Sequence, residues 1–182
     1  MKKLICGIGE STILNEQILI KNYPFEPSCV YPEKALGAHD ITAICYEAYP
    51  PQVRVKDEVI FVSRENYEAL GEFTKSHQLK TYKATRNWDW LLEPYLDTEY
   101  TRETDERITV LLMENGISRK EIIKIRNEVQ KQMLKYNFDT LLWDWTNLGL
   151  HDVLSAMRAK YSKARFKDFY HRAMEIELRG SE

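Results

Sequence analysis

The feature that most constrains the fold is a change in proline content and in the spacing of apolar residues near residue 85. Five of the six prolines lie within residues 24–51, among short segments rich in Ile, Val, Thr and Tyr. Such segments are typical of β-strands, and proline interrupts no strand ladder when it stands in the connections. Beyond residue 85 a single proline remains, and apolar residues recur at helical intervals. The sequence therefore predicts a strand-rich first half and a helical second half.

This division predicts an α+β fold with two domains. Residues 1–84 are expected to form a mostly antiparallel sheet with one helix that begins at Ser63. Residues 85–182 are expected to form a bundle of four to five helices. With 182 residues, of which 43% are hydrophobic, the chain is long enough to bury a substantial core.

The best-marked helix boundary is NGISRKEII, residues 115–123. Gly116 can adopt the left-handed conformation that ends a helix, and Ser118 with Glu121 forms a capping box for the next one. The buried stripe predicted for that helix is Ile122, Ile125, Val129, Met133 and Tyr136. Four polar residues are the other predicted helix starts: Asn87, Thr101, Asp139 and Ser162.

Two Trp-Asp-Trp triplets, residues 88–90 and 143–145, lie in predicted helices. Residues two apart in a helix point about 200° from each other, so only one tryptophan of each triplet can join a given contact. Trp88 and Trp145 fall on the predicted buried stripes, which leaves Trp90 and Trp143 for a second surface. That surface is either covered by the same chain or an interface, because aromatic residues are enriched at binding hot spots.

A contact surface around Trp90 and Trp143 is the favoured functional hypothesis. It predicts non-catalytic binding of a protein or peptide partner, or self-association into a homo-oligomer. The candidate binding residues are the two tryptophans and polar side chains near them: Trp90, Trp143, Asp89, Asp144, Glu93, Asp97 and His151. This interpretation requires no cofactor, no metal and no catalytic residue.

The segment EPYLDTEYTRETDE, residues 93–106, contains six carboxylates. Carboxylates close in space can bind a hard cation or act as an acid and a base. A metal-dependent enzyme that also uses His151 and Asp152 is therefore one alternative. The spacing matches no calcium loop, and the helix dipole favours acidic residues near a helix start. The basic segment 158–172 is expected to dock on these carboxylates.

The segment ITVLLMENGISRKEIIKIRNEV, residues 108–129, resembles a helix-turn-helix motif. The resemblance implies that apolar residues fix the second helix while its polar residues reach DNA: Arg119, Lys120, Lys124, Arg126 and Asn127. Leu112 stands where that motif usually has a small residue, and an ordinary helical hairpin needs the same turn glycine. A DNA-binding regulator is the second alternative. The net charge of −2 makes nucleic acid the less expected partner.

Three further segments, WLLEPYLDTEYT, NGISRKEI and YNFDTLLWDW, resemble parts of uncharacterised bacterial proteins. That resemblance implies a bacterial, cytoplasmic setting and no particular activity. The three cysteines show neither disulfide nor zinc spacing, which fits a reducing cytoplasm. No apolar run approaches the ~18–20 residues of a membrane span, so a membrane is not expected as a partner.

Overall fold

The computed structural model describes residues 6–96, 99–139 and 147–181, without the side chains of residues 138 and 139. The predicted α+β class is confirmed, because strands fill the first half of the described chain and helices the second. The chain divides into two compact units, Cys6–Ala84 and Thr85–Ser181. None of the helices in the described ranges combines the length and the apolar character needed to cross a membrane.

The N-terminal unit contains two antiparallel sheets of three strands, each with its strands in sequence order. The first sheet consists of β1 (Glu10–Ile13), β2 (Gln17–Lys21) and β3 (Lys34–Gly37). The second consists of β4 (Ala43–Cys45), β5 (Gln52–Val55) and β6 (Glu58–Phe61). Connections of two to six residues join β1 to β2, β4 to β5 and β5 to β6, and they are too short for the crossover that parallel strands need.

One helix follows the second sheet, as predicted, but it begins later than expected. Residues Arg64–Asn66 form a 3₁₀ turn, and α1 spans Tyr67–Ser76. The side chain of Ser63 makes no capping hydrogen bond, so the predicted cap is wrong. Leu70 and Phe73 are buried, which gives α1 its apolar side.

The helical unit consists of α2 (Asn87–Leu92), a 3₁₀ turn (Glu93–Tyr95), α3 (Arg102–Glu114), α4 (Arg119–Asp139), α5 (Leu150–Lys160) and α6 (Lys163–Leu178). Two predicted caps are confirmed: Thr101 accepts from the Thr104 amide, and Ser162 from the Arg165 amide. The stripe predicted for α4 is fully confirmed, since each of its five side chains is at most 5% exposed. Periodic burial thus determines the core of this unit.

Two predicted helix starts are wrong. Asn87 is the first residue of α2 rather than its cap, and its buried amide donates to the carbonyls of Ile176 and Arg179. Asp139 lies within α4 rather than before the start of a helix, and α5 begins after Gly149. The rest of the helix predicted from Asp139 falls on residues 140–146, which lie outside the described residues.

The basic C-terminal segment docks on α4 rather than on residues 93–106. Arg172 Nη2 lies 2.7 Å from both carboxylate oxygens of Glu128, and Arg179 Nη1 lies 2.8 Å from Glu121 Oε1. Both acidic residues of α4 ahead of Asp139 therefore point inward to arginines of the C-terminal segment. The exposed side of α4 keeps its lysines.

Candidate functional site

A tight turn joins α3 and α4 into an antiparallel hairpin. Gly116 has a φ of +81°, and its amide donates to the Met113 carbonyl. The Ile117 amide donates to the Leu112 carbonyl, and the Ile117 side chain is fully buried under the turn. Ser118 Oγ accepts from the Glu121 amide, as its predicted capping role requires. A left-handed glycine followed by a capped helix start is the local reason for the sharp reversal.

The hairpin has an inner side that is buried and an outer side that is exposed. On the inner side, α3 buries Ile108 and Leu112, and α4 buries the stripe from Ile122 to Tyr136. On the outer side, exposed or half-exposed residues recur at spacings of three and four along both helices: Glu103, Glu106, Val110 and Met113 on α3, and Ile123, Asn127, Gln130 and Leu134 on α4. We call these eight residues, with the exposed lysines beside them on α4, the outer face.

Both halves of the outer face lie on the same side of the hairpin. Asp105 contacts Arg126, which marks the line where the two helices face each other. At about 100° per residue, the exposed set is rotated from that contact by about 80–160° in α3 and about 40–100° in α4, in the direction of increasing residue number. Because the helices are antiparallel, the same rotation brings both sets to one side. The outer face is therefore a continuous surface formed by two helices.

The outer face contains every large hydrophobic side chain that is strongly exposed in the described part of the helical unit. These are Val110 at 51%, Met113 at 49%, Ile123 at 56% and Leu134 at 49% exposure. Single exposed apolar residues are ordinary, but a group on one surface indicates an interaction site. The distribution therefore favours a contact surface at the hairpin.

The charge of the outer face differs between its two helices. Among the described residues, four exposed lysines of α4 form no ion pair: Lys120, Lys124, Lys131 and Lys135. The α3 half carries Glu103, Glu106 and Glu114 against the exposed Arg102 and Arg107, and Arg102 Nε lies 3.0 Å from Glu106 Oε1. One half of the face is thus basic and the other is weakly acidic.

A groove of about 510 Å³ opens between the start of α3 and the middle of α4. Its apolar walls are Pro94, the ring of Tyr100 and Leu134, while Asn127 and Gln130 contribute exposed amides. Amide side chains can both donate to and accept from a peptide backbone. The groove therefore combines apolar contact with hydrogen bonding that requires no charge.

The floor of the groove is held by Arg126, whose side chain is only 15% exposed. Its guanidinium donates to Asp105 Oδ1 at 2.7 Å and to the Tyr100 hydroxyl at 3.0 Å. It also donates to the carbonyls of Trp90 and Leu91 at 3.3 Å each, near the end of α2. Arg126 therefore links three helical segments and cannot reach DNA, so that part of the helix-turn-helix prediction is wrong.

Ionisable groups of the floor are fixed in one protonation state at neutral pH. Hydrogen bonds from Tyr100 and Arg126 lower the pKa of Asp105. Burial, followed by the hydrogen bond to Asp105, raises the pKa of Tyr100. Burial raises the pKa of Tyr95 to about 12. A general acid or base works best with a pKa near the working pH, so these three groups suit a structural role.

The predicted surface around the Trp-Asp-Trp triplets is only partly described. Trp143, Asp144 and Asp97 lie outside the described residues. Trp90 is half-buried, and Glu93 is half-buried directly before Pro94 of the groove wall. The structure thus brings Trp90 and Glu93 close to the groove through the end of α2.

Asp89 and His151 lie at a different place, beside the start of α5. Asp89 Oδ1 is 3.0 Å from the position that a Cβ would take at Gly149, and Asp89 Oδ2 accepts from Arg86 Nε at 3.1 Å. Burial raises the pKa of Asp89. A carboxylate at a helix start is stabilised by the helix dipole.

His151 and Asp152 do not form a close pair, since His151 Nδ1 lies 4.0 Å from Asp152 Oδ1. Asp152 instead accepts from the Gly149 amide at 2.9 Å and from the Tyr136 hydroxyl at 3.0 Å. These bonds cap α5 and tie it to α4. The enzyme alternative requires Asp152 to take part in catalysis, whereas both of its carboxylate oxygens already accept structural hydrogen bonds.

The acidic segment 93–106 has no shared focus in its described part. Asp105 binds Arg126, Glu106 binds Arg102, and Glu99 and Glu103 are exposed. Within residues 6–96, 99–139 and 147–181, no group of three or more His, Cys, Asp or Glu side chains is arranged to hold a metal ion.

Sequence reasoning did not identify the outer face as the candidate site. The signal was available, because Val110, Met113, Ile123 and Leu134 fall off the buried stripes in the same way as Trp90. Comparison with known proteins finds no matching family model, no matching curated protein and no matching solved structure.

Proposed function

We propose that the chain is a non-catalytic protein-binding module and that the outer face of the α3–α4 hairpin is its contact surface. The observation that carries the proposal is the gathering of four exposed apolar side chains on one side of one hairpin. Protein interfaces combine such an apolar centre with a polar rim. The lysines of α4 and the glutamates of α3 supply that rim. The expected setting is the cytoplasm.

The groove supports the same proposal. Its walls offer Pro94, Tyr100 and Leu134 to an apolar side chain, and Asn127 with Gln130 can bind a partner's backbone. The groups beneath it are fixed by their hydrogen bonds, so the groove keeps its shape without a ligand. A surface formed in advance loses less conformational entropy on binding.

The surface proposed here is displaced from the one that the sequence suggested. Trp90 is half-buried, and its backbone carbonyl is already bound by Arg126. The apolar residues of the outer face are each about half exposed and need no rearrangement to meet a partner. Trp90 remains a candidate for contact at the groove end of α2.

The two alternatives receive less support. DNA binding would use the lysines of α4, but Ile123 and Leu134 stand among them and gain little from a phosphate backbone. Duplex binding that weakens steeply as salt rises would restore that alternative. A metal-dependent enzyme would gain support if magnesium, manganese or calcium raised the melting temperature of the chain.

Site-specific photocrosslinking in cells that naturally make the chain tests the proposal. A photoreactive amino acid replaces Ile123 or Leu134 on the outer face and, as a matched control, Lys167 on the exposed side of α6. We expect discrete crosslinked proteins from the two outer-face positions and none from residue 167. Equal labelling at all three positions, or no discrete product at either outer-face position, would refute the proposed contact surface.

A further inference from the structure

We propose that the partner of the outer face is the outer face of a second copy of this chain, with α3 of each copy lying on α4 of the other. This inference rests on the proposed function, because it names the partner of the same surface. It predicts a symmetric dimer in which the two hairpins form an antiparallel four-helix arrangement. Such symmetric pairing uses the same patch on both copies.

The register of the hairpin aligns the apolar residues of the two copies. Asp105 is level with Arg126, and five residues toward the turn lead to Val110 and Glu121. Val110 is therefore within about one helical turn of the level of Ile123. A two-fold axis parallel to the helices keeps these levels and places α3 of one copy under α4 of the other. Val110 and Met113 of each copy then lie beside Ile123 of the other.

Charge selects this arrangement over the other way of pairing the two faces. If α4 lay on α4 of the second copy, Lys120, Lys124 and Lys131 of both copies would be brought together. If α3 lay on α4, the lysines would instead face a helix whose three exposed glutamates outnumber its two exposed arginines, Arg102 and Arg107. Like charges placed opposite each other disfavour a complex, and opposite charges set its register. The self-complementary arrangement is the one that separates the lysines.

The same arrangement closes the groove. Leu134 lies eight residues beyond Arg126 and lines the groove together with Pro94 and Tyr100. In the paired copies, Leu134 of one therefore faces the groove of the other, near Pro94 and Tyr100. The groove is half of a pocket that the second copy completes.

The size of the outer face predicts a weak, reversible dimer. A helix of 13 residues is about 20 Å long, and two adjacent helices are about 20 Å wide. The α4 helix extends further, so the interface buries roughly 1,000 Å² in total. Interfaces below about 1,200 Å² are typical of weak or transient complexes. We expect dissociation in the micromolar range.

Sedimentation velocity of the full chain measures this association. The mass is expected to rise from 21.6 kDa toward twice that value as the concentration increases from ~1 to ~200 μM, across the range in which a micromolar complex forms. Ile123→Asp places a charge at the centre of the interface, so it should weaken the dimer at least tenfold. Because Ile123 is 56% exposed, the helical content should be unchanged by circular dichroism.

Two charge-reversal variants test which helices meet. The first carries Lys124→Glu with Lys131→Glu on α4, and the second carries Glu103→Lys with Glu106→Lys on α3. Each variant alone should weaken the dimer, because the first removes the excess of positive charge on α4 and the second removes the excess of negative charge on α3. An equimolar mixture should recover a mixed dimer, because the altered α4 of the first variant then faces the altered α3 of the second, while the other two helices keep their original charges. A matched control, Lys163→Glu with Lys167→Glu on the exposed side of α6, should pair like the unaltered chain.

The inference is overturned if the unaltered chain remains at 21.6 kDa throughout, or if mixing the two variants restores nothing. Photocrosslinking separates this failure from that of the proposed function. A product at residue 123 that contains a different protein would keep the contact surface and reject self-pairing. No discrete product, together with a monomer at every concentration, would reject both.

Discussion

Replacing Arg126 with Met should destabilise the helical unit and flatten the floor of the groove. The guanidinium donates to Asp105, to Tyr100 and to two carbonyls at the end of α2. Asp105 is 41% exposed and can rehydrate, so its bond counts for about 1 kcal/mol. The long bonds to the two carbonyls and the bond to Tyr100 add about 1 kcal/mol more. The expected loss in the free energy of unfolding is about 2 kcal/mol.

Urea unfolding, monitored by tryptophan fluorescence, measures this decrease in the free energy of unfolding for the helical unit alone. All four tryptophans lie within residues 88–145, so the N-terminal unit does not contribute to the signal. A double-mutant cycle with Asp105→Asn isolates the energy of the Arg126–Asp105 pair. Arg102→Met is the matched control, because Arg102 is 87% exposed in its pair with Glu106 and should cost less than about 0.5 kcal/mol.

The pH dependence of the coupling energy follows from the lowered pKa of Asp105. A carboxyl group whose pKa is lower in the folded state stabilises the fold fully above its unfolded pKa of about 3.9. That stabilisation is lost as the pH falls through the lower, folded-state pKa. The coupling should therefore be smaller at pH 3 than at pH 7. Equal stability of the Arg126→Met and Arg102→Met variants, or a coupling that grows in acid, would refute this description of the groove floor.

Two further substitutions test the local structure of the fold. Gly116→Ala should cost about 1 kcal/mol in urea unfolding, because the backbone φ of +81° is strained for alanine although the added Cβ would meet no atom within 4 Å. The matched change Gly71→Ala inside α1 should stabilise the N-terminal unit by up to ~1 kcal/mol, measured by circular dichroism, because alanine favours a helix over glycine. Asn87→Leu should cost about 3 kcal/mol, because two carbonyls and the Asn115 amide lose a buried partner; a cost below about 1 kcal/mol would contradict the role assigned to Asn87.

Much of the helical unit could be predicted from the sequence, because periodic burial decides it. The stripe of α4, the caps at Thr101 and Ser162 and the left-handed Gly116 all depend on residues close in sequence. Asn87 resembled a cap by residue type, but its amide is used by α6, more than 80 residues away. Sequence spacing carries no information about such long-range partners.

The candidate site was harder to predict for the same reason. The sequence showed that Trp90, Val110 and Ile123 lie off their buried stripes, but it could not show which of them another element covers. It also could not show that Glu121 and Glu128 turn toward arginines of α6 and its C-terminal end. Those ion pairs leave the exposed side of α4 basic, and that charge selects the proposed pairing.

Methyl NMR spectra of the full chain, recorded from dilute to concentrated solution, test most directly whether the outer face is a contact surface between copies. The methyl signals of Val110, Met113, Ile123 and Leu134 should shift together as the mass rises, while those of the buried Ile117 and Val129 stay in place. An outer face whose methyl signals do not move while the mass doubles would contradict the proposed surface.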